Sequence, residues 1–309
     1  MTKKNSWHCL CLLALLQLGA LSEAAAENTG ALKPVPFENL SEQGVSNLGK
    51  LALSIRKDDW LHSESDNFIY HYFNSFVATP VKVESEKYYR VISQDLKKDT
   101  SEWERKAQIF IFEEDVDWQV FIAVGGLDPW TGGLHVNNEL FIQRNPAYKW
   151  KGASLGHEIA HLVIDRFYGS SNIPLWLNEG YAEYIAQISR AAYFRQRGYR
   201  GARARSSPLA PADIMPLKEQ TAFKAYPQDE EVVRVFYDQS EKFVRFLRAK
   251  NIDQFLAFFQ LMSKGKKLET ALGTAFGQGF SDLDKLDKSF AKYASKDYTE
   301  KKDYTEKKD

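Results

Sequence analysis

His157-Glu158-Ile159-Ala160-His161, followed by Trp176-Leu177-Asn178-Glu179-Gly180-Tyr181-Ala182-Glu183-Tyr184, is the stretch on which the reading of this chain turns. Residues four apart share one face of a helix, so both imidazoles can reach a single ion. Zinc in a catalytic site takes three protein ligands and leaves its fourth position to water. Glu179, eighteen positions after His161, can supply the third ligand from a second helix. Glu158 sits one step round the helix from His157, beside the metal's open position, where a carboxylate can act as a base but not as a ligand.

The segment between the two motifs reads as helix, turn, helix. Leu155, Ile159, Leu162, Val163 and Phe167 keep helical spacing, and Gly169-Ser170-Ser171-Asn172 marks an end and a turn. Pro174 suits the first turn of the next helix. That turn can bring Glu179 back to His157 and His161. Glu183, one helical turn after Glu179, can hold a ligand imidazole by its other nitrogen.

At these residues the chain resembles the gluzincin metallopeptidases, in which a first motif of this kind is followed by an Asn-Glu-Gly-type second motif. It most resembles the small bacterial peptidase MA-like proteins. The resemblance, strong over residues 107 to 190 and loose elsewhere, implies His157, His161 and Glu179 as zinc ligands, Glu158 as the base on a zinc-bound water, and Asn178 and Glu183 as supports. In such proteins the edge strand before the zinc helix pairs with an extended substrate, and Leu134 to Gln143, read as one strand, stands in that place. An ordinary glycine-rich hairpin is the competing reading. His135 then faces either the cleft or solvent. Zinc aminopeptidases carry a Gly-x-Met-Glu-Asn motif on this edge to hold the substrate's free amine. Gly133-Leu134-His135-Val136-Asn137 lacks its glutamate, which points to cleavage within chains. Tyr237, in the run Tyr237-Asp238-Gln239-Ser240, resembles the family's tyrosine and is the candidate donor to the oxyanion, with a core tyrosine as the alternative.

The implied fold class is α+β. A zincin-like catalytic domain would have a small mixed sheet followed by zinc-binding helices and a helical C-terminal lobe. Phe68 to Phe73 and Ala107 to Phe112 read as strands, with helical character over Val81 to Leu96 and a helix start at Glu113-Glu114-Asp115. His71, within the first strand, reads as a packed structural histidine rather than a metal or substrate contact, and His62 has no context. Val232 to Lys250, Ile252 to Ser263, Leu268 to Phe276 and Leu283 to Tyr293 read as helices. Arg190, Arg195, Arg197, Arg200, Arg203 and Arg205 read as a solvated insertion beside the site, or as a loop binding an acidic group.

Lys3 and Lys4, the apolar stretch Trp7 to Leu21 and the small residues up to Ala26 read as a signal peptide over 1–26. A retained anchor is the alternative. Export, to the periplasm or the medium, is therefore expected. Residues 27–39 read as a linker, 40–148 as an N-terminal lobe, 149–295 as the zinc helices and C-terminal lobe, and 296–309 as a disordered charged repeat tail. Both cysteines, Cys9 and Cys11, lie in the signal, so an exported chain would build its metal site from nitrogen and oxygen. The 309 residues, 44% hydrophobic, suffice for one large domain or two small lobes. With 41 basic and 41 acidic side chains the chain is neutral, which argues against nucleic acid as a partner. No long apolar span follows the first 21 residues.

The expected function is an exported zinc endopeptidase acting on peptide or protein substrates. Two other classes stay open: a zincin-fold binding protein without turnover, and a zinc hydrolase of a cell-wall amide.

Overall fold

Ala107–Phe112 reads Ala-Gln-Ile-Phe-Ile-Phe and is buried along its whole length, as a strand covered on both faces must be. The computed structural model describes residues 32–99, 105–129, 131–144, 155–169, 172–196, 205–206, 208–295 and 298–299. Five strands form the main sheet: β1 (Leu61–Glu64), β2 (Phe68–Tyr72), β3 (Ala107–Phe112), β4 (Gly133–Val136) and β5 (Glu139–Gln143), in the order β1-β2-β3-β5-β4. The three inner strands run parallel and both edge strands antiparallel to their neighbours. The period of two along β3 divides its side chains between two cores: Ala107, Ile109 and Ile111 enter one, Phe110 and Phe112 the other. The fold is α+β with a small mixed sheet, as the sequence implied.

On the Phe110 face lie α1 (Asn47–Ser54) and α3 (Asp115–Gly125), whose Ala52, Trp118, Phe121 and Ile122 fill the smaller core. Glu114 stands at the N-cap position of α3 without a side-chain capping bond, Asp115 and Asp117 favour its positive end, and Gly126 ends it at φ 65° in the left-handed region. On the Ile109 face lie α2 (Ser75–Asp95), α4 (Leu155–Tyr168), α5 (Leu175–Gln196), the short α6 (Leu217–Gln220), α7 (Glu230–Lys250), α8 (Ile252–Ser263), α9 (Leu268–Phe276) and α10 (Leu283–Ala294). α7 buries Phe236, Phe243, Val244 and Leu247 as one stripe, each such side chain contributing roughly 1.5–3 kcal/mol of apolar burial. Asp229 and Asn251 cap α7 and α8 through their carboxamide or carboxylate oxygens.

Several expectations are corrected by packing that local sequence does not encode. The helix expected from Val81 starts at Ser75, because Asn74 caps Phe76 and the first turns bury Ala78 and Val81 despite Pro80 within them. The strand expected over Leu134 to Gln143 is a hairpin: Asn137 takes φ 55° and Val136 pairs with Glu139, folding the run into edge strand β4 and inner strand β5. The linker expected over 27–39 does not hold over its described part. Leu32 is buried, Val35 N–H donates to the His62 carbonyl at 2.8 Å, and Phe37 lies edge-on to His62. The boundary at 148/149 separates no two cores, since Tyr70, Ile109 and Leu140 of the sheet share one cluster with Leu155, Ile159 and Trp176 of the helices. Arg190 and Arg195 belong to α5 rather than to a loop, because the run from Glu183 to Gln196 holds neither glycine nor proline to end the helix. Within the tail, β7 (Tyr298–Thr299) pairs antiparallel with β6 (Arg205–Ser206). The signal-peptide segment, both cysteines, and Arg197, Arg200 and Arg203 lie outside the described residues.

His62 does have a context. It faces His71 across the β1–β2 pair, the two Nδ1 atoms lying 2.8 Å apart, while His71 Nε2 lies 2.9 Å from Gln108 Oε1. Because the Gln108 amide donates to the Gly44 carbonyl at 2.7 Å, its oxygen faces His71, which must donate through Nε2 and accept through Nδ1. Fully buried and stacked on Phe110, His71 is a structural histidine, as the sequence suggested.

Candidate metal centre

α4 places His157 and His161 on one face, with their rings 4.6 Å apart and nearly perpendicular. The opposite face, Leu155, Ile159, Leu162 and Val163, is buried in the larger core and fixes the helix against α2 and α5. Gly169, at φ 69°, ends α4 where the sequence placed the turn. α5 starts directly after Pro174, whose carbonyl accepts from Leu177 and Asn178, and packs against α4. Glu179 thereby faces both imidazoles, its Oε2 3.4 Å from His157 Nε2 and 3.5 Å from His161 Nε2.

The proton assignments in this cluster are constrained by its outer partners. His161 Nδ1 lies 3.0 Å from Asn178 Oδ1, and His157 Nδ1 lies 3.1 Å from Glu183 Oε1. Both partners are oxygen acceptors, so each neutral imidazole carries its proton on Nδ1 and presents a lone pair at Nε2. The two Nε2 atoms are 3.0 Å apart, and Glu179 Oε2 beside them is buried without a hydrogen-bond partner. With both imidazoles neutral, three acceptors therefore converge, an arrangement that repels itself unless a proton or a metal cation sits among them. His157, His161 and Glu179 could hold a metal ion, their ligand atoms all lying within 4.8 Å of one another.

The electrostatics favour positive charge here. Burial alone would lower the affinity of both imidazoles for a proton, yet Glu179, joined at His157 by Glu183, outweighs it and raises both. Burial likewise would push the Glu179 carboxyl up, but His161 and His157 pull it well below the usual range. Glu158, only 4% exposed, behaves differently: burial holds its carboxyl above the ordinary value, with the Glu179 and Glu183 charges adding to the effect and the two imidazoles opposing it.

Gly180 explains why a glycine follows Glu179. A Cβ at this position would stand 2.4 Å from the Ser240 carbonyl oxygen, so α5 and α7 approach backbone to side at this point. That approach brings Tyr237 of α7 to the site. Half-buried, its phenol is pushed up by burial first and then by the charges of Glu179, Glu183 and Glu158, which places it in the field of all three carboxylates. The hydroxyl that reaches Glu179 is another one: Tyr226 donates to Glu179 Oε1 at 2.6 Å and stacks on Tyr237 with ring centroids 6.0 Å apart. No sequence signal pointed to Tyr226, which lies in an irregular loop between α6 and α7 and carries no periodicity.

β4 forms one edge of the sheet and lies along α4. Arg166 of α4 donates to Asn138 in the hairpin turn, and Asn138 donates to the Lys106 carbonyl at 2.6 Å, so the edge strand is tied to the helix bearing both histidines. His135 on β4 is half-buried, on a strand in contact with α4, and lies in the field of His161 and Asp165. Burial pushes its imidazole down to about 4, and its Nε2 lies 2.6 Å from the Asn137 carbonyl, to which it donates.

Comparison with known proteins gives one family. The model of the Peptidase MA superfamily matches residues 92–294, a span that holds both motifs, β3 to β5 and the helical half. No curated protein matches the sequence.

Proposed function

The chain belongs to the Peptidase MA superfamily, and from that membership we propose that it is a zinc-dependent endopeptidase of gluzincin type, exported from the cell. The observation that carries the metal is the meeting of His157 Nε2, His161 Nε2 and Glu179 Oε2 with both outer imidazole nitrogens already occupied. Two nitrogens and one carboxylate oxygen form the donor set of a catalytic zinc site. When bound, zinc supplies Lewis-acid polarisation of the scissile carbonyl and lowers the pKa of the attacking water.

The remaining work falls to side chains of this chain. Glu158, buried beside His157, takes the proton of the attacking water and delivers it to the leaving amine. Asn178 and Glu183 keep the two imidazoles in the tautomer that turns Nε2 inward. Tyr237 is the donor for the oxyanion, since it stands in the field of the three site carboxylates from the neighbouring helix. The exposed edge of β4 takes an extended peptide by strand addition, which suits cleavage inside a chain. The absence of an amine-binding glutamate from Gly133-Leu134-His135-Val136-Asn137 supports the same choice over an aminopeptidase. The export reading rests on residues 1–26.

The test is metal analysis of the chain freed of residues 1–26, joined to mass-spectrometric mapping of cuts in a library of unblocked and amino-blocked peptides. The expected result is one zinc per chain and internal cuts in both sets that stop when a chelator removes the metal. Cleavage that persists after the metal is removed contradicts the zinc assignment. Cuts restricted to unblocked N-termini contradict the endopeptidase assignment.

A further inference from the structure

We infer that Tyr226 is a positioning residue that commits Glu179 to hold the metal through one oxygen, Oε2. The inference rests on the zinc reading of the preceding subsection and extends it to a residue that belongs to neither motif. A carboxylate that faces a cation offers two equivalent oxygens, and nothing intrinsic to glutamate decides whether one or both bind. Here the two are not equivalent. Oε1 accepts the Tyr226 hydroxyl at 2.6 Å, within the range of a charge-assisted O–H···O⁻ bond, while Oε2 is buried, lacks a hydrogen-bond partner and faces both Nε2 atoms. Rotation of the carboxylate toward bidentate binding would break the bond to Tyr226 in a setting where Glu179 is 3% exposed and water cannot replace it.

Tyr226 is itself held in place. Pro227 follows it and narrows the backbone choices of residue 226. Its ring lies nearly parallel to that of Tyr237, at 12° between planes, and Tyr237 is carried by α7, which crosses α5 at Gly180. Position is thus passed from α7 to Tyr237, from Tyr237 to Tyr226 and from Tyr226 to Glu179. Tyr226 is 46% exposed while the Glu179 to which it donates is 3% exposed, so the bond runs from a surface residue to a buried carboxylate.

Two measurements on the chain freed of residues 1–26 test the inference. In chelator competition, Tyr226→Phe is expected to bind zinc more weakly by about 10- to 100-fold, as when an outer partner of a metal ligand is removed. The cobalt-substituted variant should show a changed visible spectrum, whereas the melting temperature of the metal-free chain should match the parent's. Zinc affinity within twofold of the parent, with an unchanged cobalt spectrum, overturns the inference. X-ray absorption of the zinc-loaded parent needs no variant and guards against a folding defect in Tyr226→Phe. One carboxylate oxygen beside two imidazole nitrogens is expected, and two equivalent carboxylate oxygens overturn the inference. If the parent binds neither zinc nor cobalt, the metal reading itself fails and the inference falls with it; a metal-binding parent with an indifferent variant removes the inference alone.

Discussion

Two histidines in this chain are buried with opposite electrostatic outcomes, and the contrast shows what neighbours do to an imidazole. At His157 the carboxylates of Glu179 and Glu183 outweigh burial, so positive charge is favoured. At His71 burial prevails and pushes the imidazole down to about 3, with Gln108 opposing and His62 adding to the effect. From an ordinary value of 6.5, His71 takes up its proton in the unfolded chain far more readily than in the folded one. Below pH 6.5 the unfolded state therefore binds more protons, and the stability that neutral His71 contributes is full above that pH and drains away toward pH 3. His71→Gln should lose less stability than the parent when urea unfolding is compared at pH 7 and pH 5; equal losses in the two proteins would contradict the assignment. At this scale much of the site was legible. His157 and His161 could be paired because helical spacing puts residues four apart on one face, whereas Glu179, on the next helix, was read from the second motif and the resemblance that it carries. Tyr226 could not be found, because its place depends on a loop that only the packing of α7 on α5 holds in position.

The elements show the same division between local and non-local information. The four helices from α7 to α10 were readable within a few residues because each pairs an apolar stripe with a polar face and three of them carry a side-chain cap. The β4–β5 hairpin was not, since Leu134 to Gln143 is apolar on both sides of Asn137-Asn138 and no glycine marks the turn. Asparagine enters the left-handed region at lower cost than other side chains, which is how Asn137 makes a turn the composition hides. Gly180 offers the sharpest test at this scale. Its missing side chain lets α5 meet the Ser240 backbone of α7, and a methyl group there would meet an atom that cannot swing aside. Gly180→Ala should destabilise the fold by about 1–3 kcal/mol, the range of overpacked cores, and the shift should appear in the denaturation midpoint of the metal-free chain. An unchanged midpoint would mean that α5 and α7 do not make this approach.

At the scale of the whole molecule, the sheet and the helices act as one body around the site. Residues on both sides of position 148 share a core, which is why a sequence reading that looked for two lobes drew a boundary where none exists. Leu32 to Asn39 likewise join the fold through Leu32, Val35 and Phe37, contacts made to β1 and α2 from far along the chain and therefore invisible to composition. The consequence for function is rigidity: β4 is fastened to α4 by Arg166 and Asn138, α4 to α5 through the larger core, and α5 to α7 at Gly180. A peptide laid on β4 would meet side chains whose positions are set before it arrives. Proton transfer is proposed to depend on Glu158, the buried carboxylate beside His157. The deciding measurement compares zinc content and peptide cleavage in the parent and in Glu158→Gln. The account predicts equal zinc in both proteins and a fall in turnover of about 10²- to 10⁴-fold in the variant. Glu158→Gln that retains zinc and cleaves as fast as the parent would contradict it.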